Sequence, residues 1–170
     1  MRWYWIDRFV EFESGRRAKA IKVVSLAEEH LHDHFPGYPI MPNTLVIEGV
    51  AQTGGLLVCE HGQFAEKVVL AKIAKARFFG DAVAGDVLTY TTDVDYVKKD
   101  GAMVTGTVHR GGELFAEMEL VFAHLSTGHE DRTLFEPITF LKMMRMLGAF
   151  QIGHAADGGP LVEPVHLLGS

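Results

Sequence analysis

The sequence predicts an α+β domain, an antiparallel sheet wrapped around one long central helix, with a C-terminal helical extension. Three observations carry this. The run Leu45 to Cys59 is apolar on nearly every face, the pattern of a helix buried all round. β-rich runs flank it: Ile6 to Glu13 and Arg16 to Val24 before, then Lys67 to Phe79, Asp86 to Val97, Ala102 to Arg110 and Glu113 to His124 after. Finally, 170 residues with 48% apolar content suffice for one domain with a real core and room for an extension.

In chain order, Ser14-Gly15 is a short turn that suits a hairpin, with Phe9, Val10 and Phe12 anchoring its first strand. Ser25 to Glu28 has the spacing of a capping box opening one helical turn. Next comes a histidine loop in which Pro36, Pro39 and Pro42 each fix φ and push Phe35, Tyr38 and Met41 toward extended backbone. Asn43 or Thr44 is placed to cap the central helix, which ends near His61-Gly62. Turn signals at Gly80-Asp81, Gly85-Asp86, Asp100-Gly101 and Gly111-Gly112 divide the later strands into an antiparallel meander.

Beyond Leu125 the composition turns polar, which predicts a domain over 1–125 and, over 126–170, a linker and helical extension. Pro137 opens a helical pattern in which Ile138, Leu141, Met144, Arg145 and Leu147 share a face, before a Gly-rich tail from Gly148. That helix is either packed on the outer sheet or a lid or subunit contact.

Composition excludes several classes. A formal charge of −6, from 22 acidic and 16 basic side chains, argues against general affinity for nucleic acid or anionic membrane. The single cysteine, Cys59, rules out an internal disulfide and suits a reducing cytoplasm. The apolar start stops at Asp7, too short for a signal peptide, and the central apolar run is interrupted by Glu48, Gln52 and Thr53 and is shorter than a bilayer needs. A soluble cytoplasmic protein is expected.

Two titratable groups stand out, His34 at the edge of the proline-stiffened loop and Glu48 halfway along the apolar helix. A carboxyl group taken into low dielectric without a cation has a raised pKa and can serve as a proton donor; the alternative is a core Lys or Arg partner. Gln52 lies one turn on, on the same face. His30, His32 and His34 are dense enough to raise a metal site, but the spacing falls one residue short of a His-x-His-x-Asp-His motif and no second ligand cluster is evident. No metal is therefore expected. Gly54-Gly55 lack the following Lys-Ser or Lys-Thr of a phosphate loop and are read as room for a second helix or an acyl chain.

His-Phe-Pro-Gly-Tyr-Pro-Ile-Met-Pro (34–42) followed by Leu-Val-Ile-Glu-Gly-Val-Ala-Gln-Thr-Gly-Gly (45–55) resembles the signature of the 3-hydroxyacyl-[acyl-carrier-protein] dehydratases, the FabZ and FabA hot-dog enzymes. Glu at 48 is closer to FabZ, since FabA usually carries Asp. Asn43 departs from a usual glycine: it still supplies a backbone N–H but adds a side chain. Residues 75–86 resemble the family's strand ending in Arg-Phe and its Pro-Gly-Asp turn, with Ala84 in place of the proline, and the likeness spans about residues 5 to 125.

The resemblance implies a hot-dog fold and loss of water from a 3-hydroxyacyl thioester, with no cofactor needed. His34 would take the C2 proton and Glu48 would hold or protonate the C3 hydroxyl. Backbone N–H groups near Gly37 and at Asn43 would polarise the thioester carbonyl, and Gln52 would belong to the substrate site. It further implies an acidic acyl carrier protein presenting acyl-phosphopantetheine, and a homodimer with active sites shared between chains, a trimer of dimers being the larger assembly. A basic rim for the carrier would come from Arg16, Arg17, Lys72, Lys75, Arg77, Lys98 and Lys99. The rivals are a thioesterase on the same fold and a catalytically silent carrier-binding subunit.

Overall fold

The computed structural model describes residues 3–125 and 136–167. The polar linker expected after Leu125 lies almost wholly outside the described residues. Strands β1 (Arg8–Glu13) and β2 (Arg17–Val23) form the hairpin, turning at Gly15, whose φ of +68° is the left-handed value glycine tolerates best. Phe9 and Phe12 are three apart and would face opposite sides of a regular strand. A register shift between Phe9 and Glu11 inserts one extra residue, so both rings enter the core while Val10, expected as an anchor, turns outward.

A short helix α1 (His30–Asp33) and strand β3 (Ile40–Met41) lead into α2 (Asn43–His61), the central helix. Then follow β4 (Lys67–Phe78), β5 (Ala82–Val83), β6 (Val87–Lys98), β7 (Gly101–Arg110) and β8 (Glu113–Leu125). Six strands make one antiparallel sheet in the order β1-β2-β6-β7-β8-β4, and α2 touches β2, β4, β6, β7 and β8, so the sheet wraps the helix as expected. The meander is only partly correct. β4 pairs with β8 at the far edge, and β6 goes to β2. Turn residues mark where a strand ends but not which neighbour it finds, and the stretch through β5 carries the chain back across the sheet.

The start of α2 differs from expectation. Pro42, at φ −55° and ψ 133°, is the capping residue and makes no side-chain bond, while Asn43 is the first helical residue. Leu45 and Val46 donate to the Pro42 carbonyl, so the helix closes on backbone alone. The helix lies close to the sheet because of its glycines. A Cβ on Gly49 would come within 2.6 Å of the Tyr90 ring, and one on Gly54 within 3.1 Å of Val104. The neighbour admitted by Gly54 is therefore the sheet, not a second helix.

The capping box also fails to form. Ser25 Oγ accepts from the Ala27 N–H at 3.2 Å, a turn two residues long, and the Glu28 carboxylate is bound to buried Lys22 instead of reaching back. The helical turn begins later, so His30 and His32 sit on α1 and not in a loop.

The C-terminal segment forms α3 (Pro137–Met146) and α4 (Ala149–Ile152). Leu141, Met144 and Leu147 are buried on the face foreseen from the sequence. In this segment α3 touches α2, and α4 touches β1, the edge strand of the sheet. Phe9 donates to the Leu147 carbonyl at 2.8 Å, Ser14 to His154 O at 2.9 Å, and His154 to Phe12 O at 2.8 Å. An edge strand exposes unpaired backbone groups, and these bonds cover β1. At the opposite edge β4 carries no such cover among the described residues, and its residues 70–77 are exposed there.

Candidate active site

His34 follows directly on α1, which is anchored by buried Leu31. The Tyr38 N–H donates to the Phe35 carbonyl at 2.9 Å with Pro36 and Gly37 between them. Gly37 stands at φ +82°, the left-handed third position that a type II turn demands. The Ile40 N–H then donates to the His34 carbonyl at 2.8 Å, closing the loop, and β3 pairs Ile40 with Val83 and Met41 with Ala82. Tyr38 Oη donates to Asp81 at 3.0 Å, a second tie to the segment after β4.

The imidazole is oriented by this loop. His34 Nδ1 is 3.0 Å from the Ile40 carbonyl, which can only accept, so the proton is on Nδ1 and the neutral ring keeps its lone pair on Nε2. The ring stacks on Phe35 with centroids 4.1 Å apart. His30 and His32 have other partners: His30 packs edge-on to Trp5 beside Glu28, and His32 meets the Leu26 carbonyl. Among the described residues no group of three His, Cys, Asp or Glu side chains is gathered for a metal ion.

Glu48 stands on the second turn of α2, partly exposed, and among the described residues it has no ion pair. Gln52 Nε2 donates to Glu48 Oε1 at 3.0 Å and to the Trp3 carbonyl at 2.8 Å, while its Oε1 accepts from the Trp5 N–H at 2.9 Å. The Trp5 contact fixes which way the carboxamide faces, so Gln52 can only donate toward Glu48. Oε1 is thereby an acceptor in either protonation state, and Oε2 is the oxygen left to carry a proton. Gln52, expected to meet substrate, has its polar atoms engaged within the chain.

Glu48 and Gln52 open on a cavity of about 580 Å³, in the size range of small-molecule sites. Its remaining walls are almost entirely apolar, and Glu48 is the only charged side chain among the described residues lining it. His34, Gly37 and Asn43 do not line it. Asn43 lies five residues before Glu48, about 7.5 Å along the helix axis at the usual rise. Its N–H is among the first-turn donors with no intrahelical acceptor, and the open space above Gly37 leaves that backbone accessible. Thus one chain brings Glu48 and Gln52 together and keeps the histidine loop outside their cavity.

The buried carboxyl group inferred for the helix exists, at Glu60 instead of Glu48. Glu60 is 3% exposed, and burial pushes its pKa above the ordinary 4.5 against a weaker opposing hydrogen bond from Ser14. Beside it, burial pushes the Cys59 thiol up to about 12, an inert packed cysteine. A folded-state pKa raised for an acid means that stability is lost as pH climbs through and above the unfolded value, because the folded state must then ionise a buried group. Glu60→Gln should therefore melt higher than the parent at pH 8, by a few degrees at about 2–4 °C per kcal/mol, with the gap closing near pH 4. Calorimetry at both pH values checks it; a gap independent of pH would contradict the burial account.

Of the rim candidates, Arg17 forks onto Asp93 at 2.7 and 3.1 Å, Arg16 pairs with Glu13, and Lys75 and Arg77 share Glu117 at 3.0 and 3.5 Å. Lys98 lies over the Tyr96 ring, while Lys72 and Lys99 are exposed. Sequence reasoning missed Trp3 and Tyr4, which line the Glu48 cavity, and Asp81. The cluster of aromatic residues at positions 3 to 5 was the signal for the first two.

A sequence model of the FabA-like domain matches residues 3–123. The 3-hydroxyacyl-[acyl-carrier-protein] dehydratase FabZ of Pelotomaculum thermopropionicum is 40% identical over 119 residues, covering 69% of this chain and 85% of that protein. The FabZ of Thermomicrobium roseum is 38% identical over 121 residues, covering 71% and 81%. Among solved structures, the dehydratase heterocomplex ApeI:P from Xenorhabdus doucetiae superposes with a TM-score of 0.62 at 14% identity, over 78% of this chain and 90% of that one. A Streptococcus mutans protein bound to acetyl CoA does so at 0.59 and 16% identity, over 74% and 94%. These two likenesses concern the fold.

Proposed function

The chain belongs to the FabA-like family, with FabZ dehydratases among its relatives, and from that premise we propose that it removes water from 3-hydroxyacyl thioesters, giving trans-2-enoyl thioesters in fatty acid biosynthesis. It is a hydro-lyase. The observation that carries the mechanism is a glutamate, set by Gln52, opening on a cavity with no other charged side chain among the described residues, in a chain whose loop histidine holds its lone pair on Nε2.

In the proposed reaction His34 Nε2 takes the proton from C2, and the freed electron pair forms the C2–C3 double bond. The C3 hydroxyl leaves with the proton of Glu48 Oε2 as water. Charge developing on the thioester oxygen is met by the Gly37 and Asn43 N–H groups. Imidazolium and carboxylate then exchange protons through solvent. Gln52 is a positioning residue for Glu48. No cofactor enters the scheme, and the substrate arrives on an acyl carrier protein in the cytoplasm. No described helix is long and apolar enough to cross a membrane.

The site is completed by a second copy of the chain. One chain leaves its histidine loop outside the Glu48 cavity, and among the described residues β4 is an uncovered edge strand with Leu70 37% and Ile73 45% exposed, a surface suited to an identical partner. Residues 1–125 form the dehydratase unit and 126–170 the appended segment.

The testing experiment is incubation of purified protein with a 3-hydroxyacyl carrier, following both enoyl formation and free thiol. Enoyl product without thiol is expected. Thiol release would make the protein a thioesterase, and carrier binding with neither product a silent subunit.

A further inference from the structure

The cavity beside Glu48 is not closed by the family domain alone. Thr139, Phe140 and Met143 of α3 line it, and all three lie beyond residue 123, where the FabA-like match ends. We propose that α3 is a fixed wall of the acyl-chain pocket and sets the length of chain accepted, an inference that rests on the dehydratase reading above.

Leu141, Met144 and Leu147 are buried, and Phe140 and Met143, one turn apart on the flank beside them, line the cavity. Several bonds hold the helix in place. The Leu147 carbonyl takes the Phe9 N–H, the Arg145 guanidinium forks onto Glu163, and the chain beyond α4 is bonded to Phe12 and Ser14 of the hairpin. Trp3 and Tyr4 add further wall, and the Trp3 carbonyl is held by Gln52.

The chemistry of the lining selects the occupant. The one charged side chain, Glu48, marks where the hydroxyl reacts, and the surfaces of Leu56, Leu70, Phe122, Phe140 and Met143 have nothing polar to offer beyond it. A hydrocarbon tail extending from the reacting carbon is the part of a hydroxyacyl thioester that such a lining can take up. Side chains on a fixed wall then limit how many methylenes fit, because a packed wall does not yield continuously to extra volume.

The test compares Phe140→Ala and Met143→Trp with the parent on short, medium and long 3-hydroxyacyl carriers. Phe140→Ala should raise the long-to-short ratio of kcat/KM by at least about tenfold, the discrimination that one or two methylenes carry in a fitted apolar pocket. Met143→Trp should move it the other way. Opposite shifts cannot come from general loss of stability. An unchanged length profile in both variants, or a shift of the same sign in both, overturns the proposal.

Calorimetric binding of free fatty acids of graded length to the same three proteins separates the two readings. If the parent dehydrates no carrier, the dehydratase reading fails and the wall is judged by binding alone. Opposite shifts in length preference uphold it, and coincident profiles reject it.

Discussion

His34→Ala is expected to lower kcat for dehydration by about 10²–10⁴, the span that a positioned general base contributes, while the fold persists. The loop's shape does not come from the imidazole. The Phe35–Tyr38 turn, the Ile40 N–H to His34 carbonyl bond and the β3–β5 pairing all use backbone and survive the change. The structural loss is the Nδ1 bond to the Ile40 carbonyl and the stack on Phe35, on the order of 1 kcal/mol for the hydrogen bond. His34→Asn sharpens the result, because its amide N–H can stand in for Nδ1 while nothing replaces Nε2. It should be as inactive as the alanine variant but closer to the parent in melting temperature. Turnover within a few-fold of the parent in either variant would remove His34 from the mechanism.

Activity should reappear when two inactive chains are combined. Glu48→Gln keeps the volume and a hydrogen-bond partner for Gln52 but removes the proton that leaves with the hydroxyl, so alone it should lose turnover by a factor similar to His34→Ala. If the histidine loop of one subunit completes the Glu48 cavity of its two-fold partner, a mixed dimer of His34→Ala and Glu48→Gln chains holds one site with both residues intact and one with neither. Random pairing after joint unfolding and refolding makes half the dimers mixed, so recovery should approach about a quarter of parental activity. Proven mixed dimers with no recovery would place both residues in one chain's site. Within one chain His34 lies outside the residues lining the Glu48 cavity, and that separation is why recovery is expected.

Much of this was legible in the sequence, for identifiable reasons. The run from Leu45 to Cys59, apolar on nearly every face, reads as a buried helix, and the strands between turn residues appeared within a few residues of where they were read. His34 and Glu48 were singled out as candidates because prolines, acid, glutamine and glycines fall in register over some twenty residues, a pattern of family resemblance carried by side-chain identity. Local periodicity records which faces are apolar and where a strand must stop.

The tertiary structure decided what depends on contacts between distant segments. Periodicity could not rank Glu48 against Glu60, since both interrupt or end the same apolar helix; only the tertiary structure shows Glu60 buried beside Ser14 of the hairpin turn and Glu48 left at a cavity. The pairing of β4 with β8, the outward turn of Val10 at a bulge, and the commitment of Gln52 to Trp3 and Trp5 are likewise choices of partner, which no window along the chain contains. The same holds for the extension. Its amphipathic pattern required one buried face, but that this face lies against α2 and the edge of β1, with Phe140 and Met143 turned to the Glu48 cavity, follows from two free surfaces meeting in space.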